Sequence, residues 1–144
     1  MPEDHQVSDA LADAVNDHAL ERVLRLYGPG AVFVAPGGMA EGHEQIASFY
    51  ASWFDGFPDV SATLWRKITT ASVTVLEWTL TGTHRGPFLI PGGEILEPTG
   101  RRVAVRGCST ADLDGGLIVS HHIYFDQLQV FASLGLRLIP ENAF

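Results

Sequence analysis

The spacing of apolar residues predicts two helices before a run of strands. Apolar side chains recur at i, i+3, i+4, i+7 and i+8 in residues 43–55, which marks one face of a helix: Ile46, Phe49, Tyr50, Trp53 and Phe54. A looser stripe predicts a first helix over 9–27, with Ser8 as its N-cap and Gly28-Pro29-Gly30 as its stop. The apolar run 31–35 between them predicts a short strand.

The second half of the chain is typical of long strands. Segments rich in Val, Thr, Ile and Trp predict four of them, at 60–69, 72–85, 101–112 and 117–126. Three prolines and four glycines predict a long loop over 86–100, and a short closing helix is expected over 127–135. Helices followed by strands favour an α+β fold. We expect a curved antiparallel sheet wrapped around the helices as a cone with an interior pocket.

Composition narrows the partners that such a fold would meet. The 144 residues suit one domain, 1–144, and a hydrophobic content of 46% excludes disorder. A net charge of −8 argues against nucleic acid and anionic membrane as partners. The single cysteine, Cys108, excludes an internal disulfide. The acidic opening and the absence of an apolar run of about 18 residues predict a cytoplasmic location.

Several short motifs, in their order and spacing, resemble one protein family. They are Gly82-Thr83-His84-Arg85-Gly86-Pro87-Phe88, Pro98-Thr99-Gly100-Arg101-Arg102-Val103, Asp114-Gly115-Gly116-Leu117-Ile118, and the ending from Tyr124-Phe125-Asp126 to Leu134-Gly135-Leu136. Phe57-Pro58-Asp59, after the second helix, fits the same pattern. From about residue 8 to residue 136, the chain resembles the SnoaL-like polyketide cyclase branch of the superfamily that includes nuclear transport factor 2 and ketosteroid isomerase.

This resemblance implies a cone-shaped α+β fold and an enzyme that needs neither cofactor nor metal. It also implies a homo-oligomer, a dimer or tetramer built through the outer face of the sheet. The founding cyclases close a ring by intramolecular aldol condensation, with an aspartate as general acid and base. The position of that aspartate falls near His122-Ile123 in this sequence, whereas Asp126 matches a second acid at the strand's end. The implied reaction is ring closure or isomerisation of a hydrophobic, polyketide-like substrate.

Three polar residues near strand ends are the candidate catalytic groups. Asp126 follows the apolar run 123–125, where a pocket mouth would raise its pKa towards a useful range. Its alternative role is to cap the closing helix. His121 and His122 point to opposite faces of a strand, and His122, which shares a face with Asp126, is the favoured catalytic partner. His84 is either a histidine at the cavity rim or the anchor of the glycine-rich loop.

Aromatic residues are expected to line the cavity, because in a cone the apolar helix face is also the pocket wall. Arg106 is a candidate contact for a substrate carboxylate. Its alternative role is in a network of salt bridges at the surface. The candidate substrate-binding residues are Phe33, Phe49, Tyr50, Trp53, Trp78, Tyr124 and Arg106.

Motifs for other chemistries are missing from the sequence. It has no HExxH, GxSxG or GxGxxG pattern, so we expect no metal site, no serine nucleophile and no nucleotide cofactor. The prediction is therefore a cofactor-independent enzyme that uses acid–base catalysis on a small hydrophobic substrate. One alternative is an epoxide hydrolase or hydroxylase relative, with Asp126 and Arg106 or Asp112 around a water. Another is a non-catalytic module that binds a hydrophobic ligand or dimerises through its sheet.

Overall fold

The computed structural model describes residues 4–141, and the first three and last three residues of the predicted domain lie outside that range. The elements, in chain order, are α1 (Asp4–Asn16), α2 (Leu20–Leu24), β1 (Tyr27–Ala35), β2 (Gly38–Glu41), α3 (Gly42–Gly56), β3 (Ser61–Thr69), β4 (Val73–Thr83), β5 (Phe88–Leu89), β6 (Ile95–Leu96), β7 (Arg102–Asp114), β8 (Leu117–Phe125) and α4 (Gln127–Ser133). The fold is α+β with a curved sheet, as the sequence predicts.

The main sheet has six strands in the order β2-β1-β8-β7-β4-β3. All of its neighbouring strands are antiparallel except β1 and β8, which are parallel, so the expectation of a wholly antiparallel sheet is corrected. The predicted loop 86–100 contains the small hairpin of β5 and β6. Parallel pairing puts Phe33 of β1 beside His121 of β8, and Ala111 of β7 flanks His121 on the other side.

The helix predicted over 43–55 is confirmed as α3, but the helix predicted over 9–27 is wrong in its extent. The chain leaves α1 after Asn16, because His18 adopts a left-handed φ of 53°. The His18 ring stacks on Phe54 with centroids 5.3 Å apart, and its Nε2 lies 2.7 Å from the Val60 carbonyl oxygen. These contacts hold a turn where the apolar spacing alone predicts continued helix.

Two further details of that region differ from the prediction. Ser8 lies inside α1, where its buried hydroxyl is 2.9 Å from the Thr74 hydroxyl, so it is not the N-cap. Gly28-Pro29-Gly30 lies within β1 and therefore does not end a helix. Tyr27, expected in the last helical turn, instead begins β1 and is almost wholly buried.

The buried apolar residues form two clusters. One surrounds Tyr27, Phe33 and Ile46, and the other surrounds Phe57 and Val105. Phe54 of α3 packs against both, so this helix joins the two halves of the core. Burial of each such large side chain stabilises the fold by about 1.5–3 kcal/mol. None of the helices within residues 4–141 is long and apolar enough to cross a bilayer.

Candidate active site

An apolar cavity of about 110 Å³ lies between α1, α3 and the inner face of the sheet. Its size limits its contents: an engineered cavity of about 150 Å³ holds benzene, so this one suits a small ring or a short chain. Most of its walls are aliphatic or aromatic. The lining includes Phe49, Tyr50 and Trp53 of α3, Trp78 of β4, Ser109 of β7, and His121, Ile123 and Phe125 of β8.

A chain of hydrogen bonds joins three side chains at one part of this cavity. The Tyr27 hydroxyl lies 2.7 Å from the Tyr50 hydroxyl and 2.7 Å from His121 Nδ1. All three side chains are buried, with His121 only 2% exposed, and Tyr50 and His121 line the cavity. Tyr27 lies behind them and is absent from the lining. The cavity therefore carries a connected polar group in an otherwise apolar wall.

The fold positions these groups from three separate segments. His121 points inward because it alternates along β8 with the outward-facing His122. Tyr27 starts the parallel neighbour β1, and Tyr50 comes from the apolar face of α3. The Phe33 ring meets His121 edge-on, with centroids 5.5 Å apart, and also contacts Tyr50 at 5.8 Å. This packing fixes the orientations of the imidazole and both phenols.

Burial keeps all three groups uncharged. Loss of solvation lowers the pKa of His121 to about 4, and the neighbouring His122 shifts it in the same direction. Burial raises the pKa of Tyr27 and of Tyr50 above the usual value for a phenol. At neutral pH the network consists of a neutral imidazole and two neutral phenols. Its tautomer then depends on which way the hydroxyl hydrogens point.

His121 Nε2 is the ring nitrogen that remains for a ligand. Within residues 4–141, no group hydrogen-bonds to it. It is also not one of the fully enclosed side-chain atoms that lack a partner in this range. Open space therefore lies beside Nε2, and we infer that this space is the cavity that His121 lines.

Trp78 and Ser109 add polarity to the same wall. The Trp78 indole donates a hydrogen bond of 3.3 Å to Ser109 Oγ, and Ser109 is only 3% exposed. Trp78 pairs across the sheet with Gly107, where an added Cβ would clash with the indole ring. Glycine at 107 thus lets the indole lie close against β7.

A second, larger cavity of about 440 Å³ lies beside the first. Phe49, Trp53 and Phe125 line both cavities and so separate them. The outer cavity is more polar, with Gln45, Ser48, Ser52 and Gln127 in its wall. Phe33, expected in the substrate pocket, lines this outer cavity and not the inner one.

The structure corrects the face assigned to His122. The predicted grouping holds, since His121, Ile123 and Phe125 share the cavity face while His122 shares the outer face with Tyr124. The prediction that Asp126 faces the cavity together with His122 is wrong. Asp126 lies beyond the end of β8, is exposed, and caps α4 by accepting a 3.2 Å hydrogen bond from the Gln129 amide.

His84 occupies the loop-anchoring position. It is fully buried, and its Nδ1 accepts a 3.1 Å hydrogen bond from the Thr99 amide and lies 3.0 Å from the Thr99 hydroxyl. Its Nε2 is enclosed without a partner among residues 4–141. Neither cavity includes it. His84 therefore ties β4 to the far end of the predicted loop.

Some of the other predicted substrate-binding residues line a cavity and others do not. Phe49, Tyr50, Trp53 and Trp78 lie in the wall of the inner cavity. Tyr124 is 58% exposed, and the exposed Arg106 lies on the outer face of β7, so neither reaches a cavity. Sequence reasoning missed Tyr27 and Ser109. The apolar spacing predicts Tyr27 as part of a helical stripe, and Ser109 has no signal in the sequence beyond its place in a strand.

No three His, Cys, Asp or Glu side chains converge as a metal site within residues 4–141. The carboxylates near the sheet are exposed, and the cavity walls hold none. The chemistry of the inner cavity is thus that of imidazole, phenol, hydroxyl and indole groups.

The curved sheet and the cavity beneath its helices define an α+β pocket fold. The chain belongs to the SnoaL-like domain family, whose model matches residues 8–121. No functionally curated protein matches the sequence at a significant level.

Solved structures show the same fold across almost the whole chain. A candidate SnoaL-like polyketide cyclase from Jannaschia sp. CCS1 is 24% identical with a TM-score of 0.80, and the match covers 94% of this chain and 93% of that one. AclR, a candidate hydroxylase from Streptomyces galilaeus, is 20% identical with a TM-score of 0.79 and coverages of 92% and 95%. IdmH, a candidate polyketide cyclase from Streptomyces antibioticus, is 24% identical with a TM-score of 0.76 and coverages of 94% and 100%. At these identities the similarity establishes the fold alone.

Proposed function

We propose that the protein is a cofactor-independent enzyme that moves a proton within a small hydrophobic carbonyl compound, in an isomerisation or an enol-dependent ring closure. One observation carries the proposal. A neutral histidine, His121, lines an apolar cavity with its Nδ1 held by a buried phenol and its Nε2 without a partner among residues 4–141. A positioned imidazole is the commonest proton-transfer group in enzymes.

The surrounding groups suit an enol-forming reaction. His121 Nε2 takes the proton from the carbon next to a carbonyl group. A hydroxyl of the same cavity, from Tyr50 or Ser109, donates a hydrogen bond to the oxygen where negative charge develops. In a dry cavity such a hydrogen bond counts for more than in water. Acid–base catalysis of this kind contributes roughly 10²–10⁴-fold to a rate.

The two cavities indicate the shape of the substrate. The inner one, of about 110 Å³, takes the reacting ring or chain end. The outer one, of about 440 Å³, takes the remaining body, and Trp53 stands between them. The candidate polyketide cyclases among the similar structures support a polyketide-like carbonyl substrate.

The test uses 3-cyclohexen-1-one, an unconjugated enone of a size that suits the inner cavity. The purified protein should convert it to 2-cyclohexen-1-one, followed by the ultraviolet absorbance of the conjugated product. His121→Gln should reduce this rate by roughly 10²-fold or more, because the amide cannot accept the carbon-bound proton. The matched control His122→Gln should keep the wild-type rate. Equal rates in wild type and His121→Gln would contradict the proposal.

The water-using alternative finds less support. It needs acids and an arginine around a water in the cavity, but Asp112, Asp126 and Arg106 are all exposed and outside its walls. Among the similar structures, the candidate hydroxylase AclR points to this chemistry.

A second candidate function is binding of a hydrophobic ligand without catalysis. Its supporting observation is the low pKa of His121, about 4, which makes the imidazole a weak base at neutral pH. A binding protein would take up cyclohexanone and 3-cyclohexen-1-one with similar affinity and leave both unchanged. Product formation that depends on His121 would exclude this function.

A further inference from the structure

The hydrogen bonds of Tyr27 leave the network only two arrangements. A phenol has one hydrogen to donate, and Tyr27 has two partners at 2.7 Å, Tyr50 and His121. If Tyr27 donates to His121 Nδ1, then Tyr50 donates to Tyr27 and the imidazole hydrogen is on Nε2. If His121 Nδ1–H donates to Tyr27, then Tyr27 donates to Tyr50 and Nε2 has a lone pair. The Tyr50 hydrogen is then free to leave the network.

We propose that this hydrogen-bonded chain, His121–Tyr27–Tyr50, is a reversible proton relay that accepts a proton at its His121 end while it donates another at its Tyr50 end. The inference rests on the proposed function and assigns the partner acid of His121. In this relay the Tyr50 hydroxyl faces the substrate oxygen. Tyr27, which does not line the cavity, is the positioning residue that couples His121 to Tyr50.

Each bond change in the relay is balanced. The C–H bond next to the carbonyl breaks and its proton joins His121 Nε2, while the electron pair forms a C=C bond. The Nδ1 proton moves to the Tyr27 oxygen, the Tyr27 proton moves to Tyr50, and the Tyr50 proton moves to the carbonyl oxygen. The C=O π pair becomes the new O–H bond. The product is an enol, and the imidazole has exchanged one neutral tautomer for the other.

The reverse shift returns the enzyme to its starting state. The enol gives its O–H proton back to Tyr50, and His121 Nε2–H protonates carbon, either at the original position or at the far end of a conjugated system. The second outcome is a double-bond shift, and attack of the enol on a second carbonyl would close a ring. The substrate class is therefore a carbonyl compound with an enolisable hydrogen on the neighbouring carbon.

Electrostatics favour this route over separate charged steps. The low pKa of His121 opposes an imidazolium, and the raised pKa values of Tyr27 and Tyr50 oppose a phenolate. A charge formed in a buried, apolar site is costly. The relay transfers the same protons while every group in the network stays neutral. The relay therefore does not require His121, whose pKa is low, to carry a full positive charge, as it would if it acted alone as the base.

The first test reads the tautomer of His121 directly, without turnover. With ¹⁵N-labelled histidine, nitrogen chemical shifts distinguish Nδ1–H from Nε2–H. Cyclohexanone, which only accepts hydrogen bonds, should orient the network so that Tyr50 donates to it, which gives Nδ1–H. Phenol, which donates as an enol does, should reverse the network and give Nε2–H. The same tautomer with both ligands would overturn the relay.

Tyr27→Phe tests the coupling between the two ends. In this variant the two ligands should give His121 the same tautomer, because Tyr50 no longer reaches the imidazole through a hydroxyl. A ligand-dependent tautomer that persists would mean that the ligand oxygen contacts His121 itself, which overturns the relay. Tyr124→Phe is the matched control on the outer face and should behave as wild type.

Kinetics separate the relay from the proposed function. With 3-cyclohexen-1-one, Tyr27→Phe should lose roughly 10²-fold in rate and should lose the slowing in D₂O that relayed exchangeable protons cause. If His121→Gln loses activity but Tyr27→Phe does not, the function stands and the relay fails. If neither variant changes the rate, both fail. Circular dichroism spectra and thermal melting of each variant establish that it is folded.

Discussion

Two histidines, His84 and His121, are both buried but differ in what lies beside their rings. His84 and His121 are 0% and 2% exposed, and Nδ1 of each lies at hydrogen-bond distance from a hydroxyl. Burial is the main cause that lowers the pKa of both. For His84 the second ring nitrogen is enclosed by protein, whereas His121 lines a cavity.

That difference separates an anchoring histidine from a candidate catalytic one. The backbone amide of Thr99 donates to His84, so its neutral tautomer is fixed with the hydrogen on Nε2. His121 is bonded to a hydroxyl, which can donate or accept, so both of its tautomers are available. Burial and a shifted pKa alone therefore do not identify an active site. An adaptable partner and open space are also needed.

The largest expected effect is on the isomerisation rate, when His121 and His84 are each replaced by glutamine and the two variants are compared. His121→Gln should slow isomerisation of 3-cyclohexen-1-one by roughly 10²-fold or more, whereas His84→Gln should keep the wild-type rate constant once folded. Rate measurements under saturating substrate check this pair. Loss of activity in His84→Gln with an intact fold would place His84 in the chemistry and remove the distinction.

Acid should destabilise the fold through His121. Its folded-state pKa of about 4 lies below the 6.5 of an unfolded histidine, so the unfolded chain binds the proton first. The free energy of unfolding should fall as the pH drops from 6.5 towards 4. The loss at pH 4 should be about 3 kcal/mol, at 1.36 kcal/mol per pH unit. His84 contributes in the same direction. Urea unfolding at several pH values should show a weaker dependence in His121→Gln.

Removal of the anchor should affect stability and not chemistry. His84→Leu removes the acceptor of the part-buried hydrogen bond from the Thr99 amide, at a cost near the lower end of the roughly 1–3 kcal/mol for an unsatisfied buried donor. Urea unfolding measures the change, and faster hydrogen exchange of the Thr99 amide should accompany it. His84→Gln, whose side-chain oxygen can still accept, should lose less. Equal losses for the two variants would show that packing, and not this hydrogen bond, holds the loop.

The smallest effect is expected at Asp126, the acid that the sequence favours. Asp126→Ala removes the cap of α4 and should lower stability by about 0.5–2 kcal/mol, while Asp126→Asn, which also caps, should stay close to wild type. Both should retain the isomerisation rate. Thermal melting measures the change in stability, and the assay with 3-cyclohexen-1-one measures the rate. An inactive but stable Asp126→Asn would restore the aspartate as the catalytic acid.

The sequence predicts the elements well where one physical signal dominates. The face of α3 has a strict helical period, and β7 ends at the Gly115-Gly116 turn, so their positions follow from local rules. The first helix fails because its apolar spacing continues past residue 17, where contacts of His18 with Phe54 and Val60 impose a turn. Those contacts link residues more than 30 positions apart and leave no local pattern.

The site shows the same division. Alternation along β8 correctly separates His121 from His122, but it does not say which face is inside. The apolar residues Ile123 and Phe125 indicate the cavity face of β8, whereas Asp126, which lies beyond the strand, predicts the wrong face. The link between Tyr27 and His121 spans 94 positions and depends on parallel pairing of β1 with β8. Only the three-dimensional structure brings them together.

Gly107 has a consequence for how the substrate range of this protein could change. It lies against the Trp78 indole, which lines the inner cavity, and any side chain there must displace that ring. A single methyl group at position 107 would act as a spacer behind the cavity wall. Mutational drift could therefore resize the binding chamber through a residue that no ligand ever touches, and directed evolution could begin at that position.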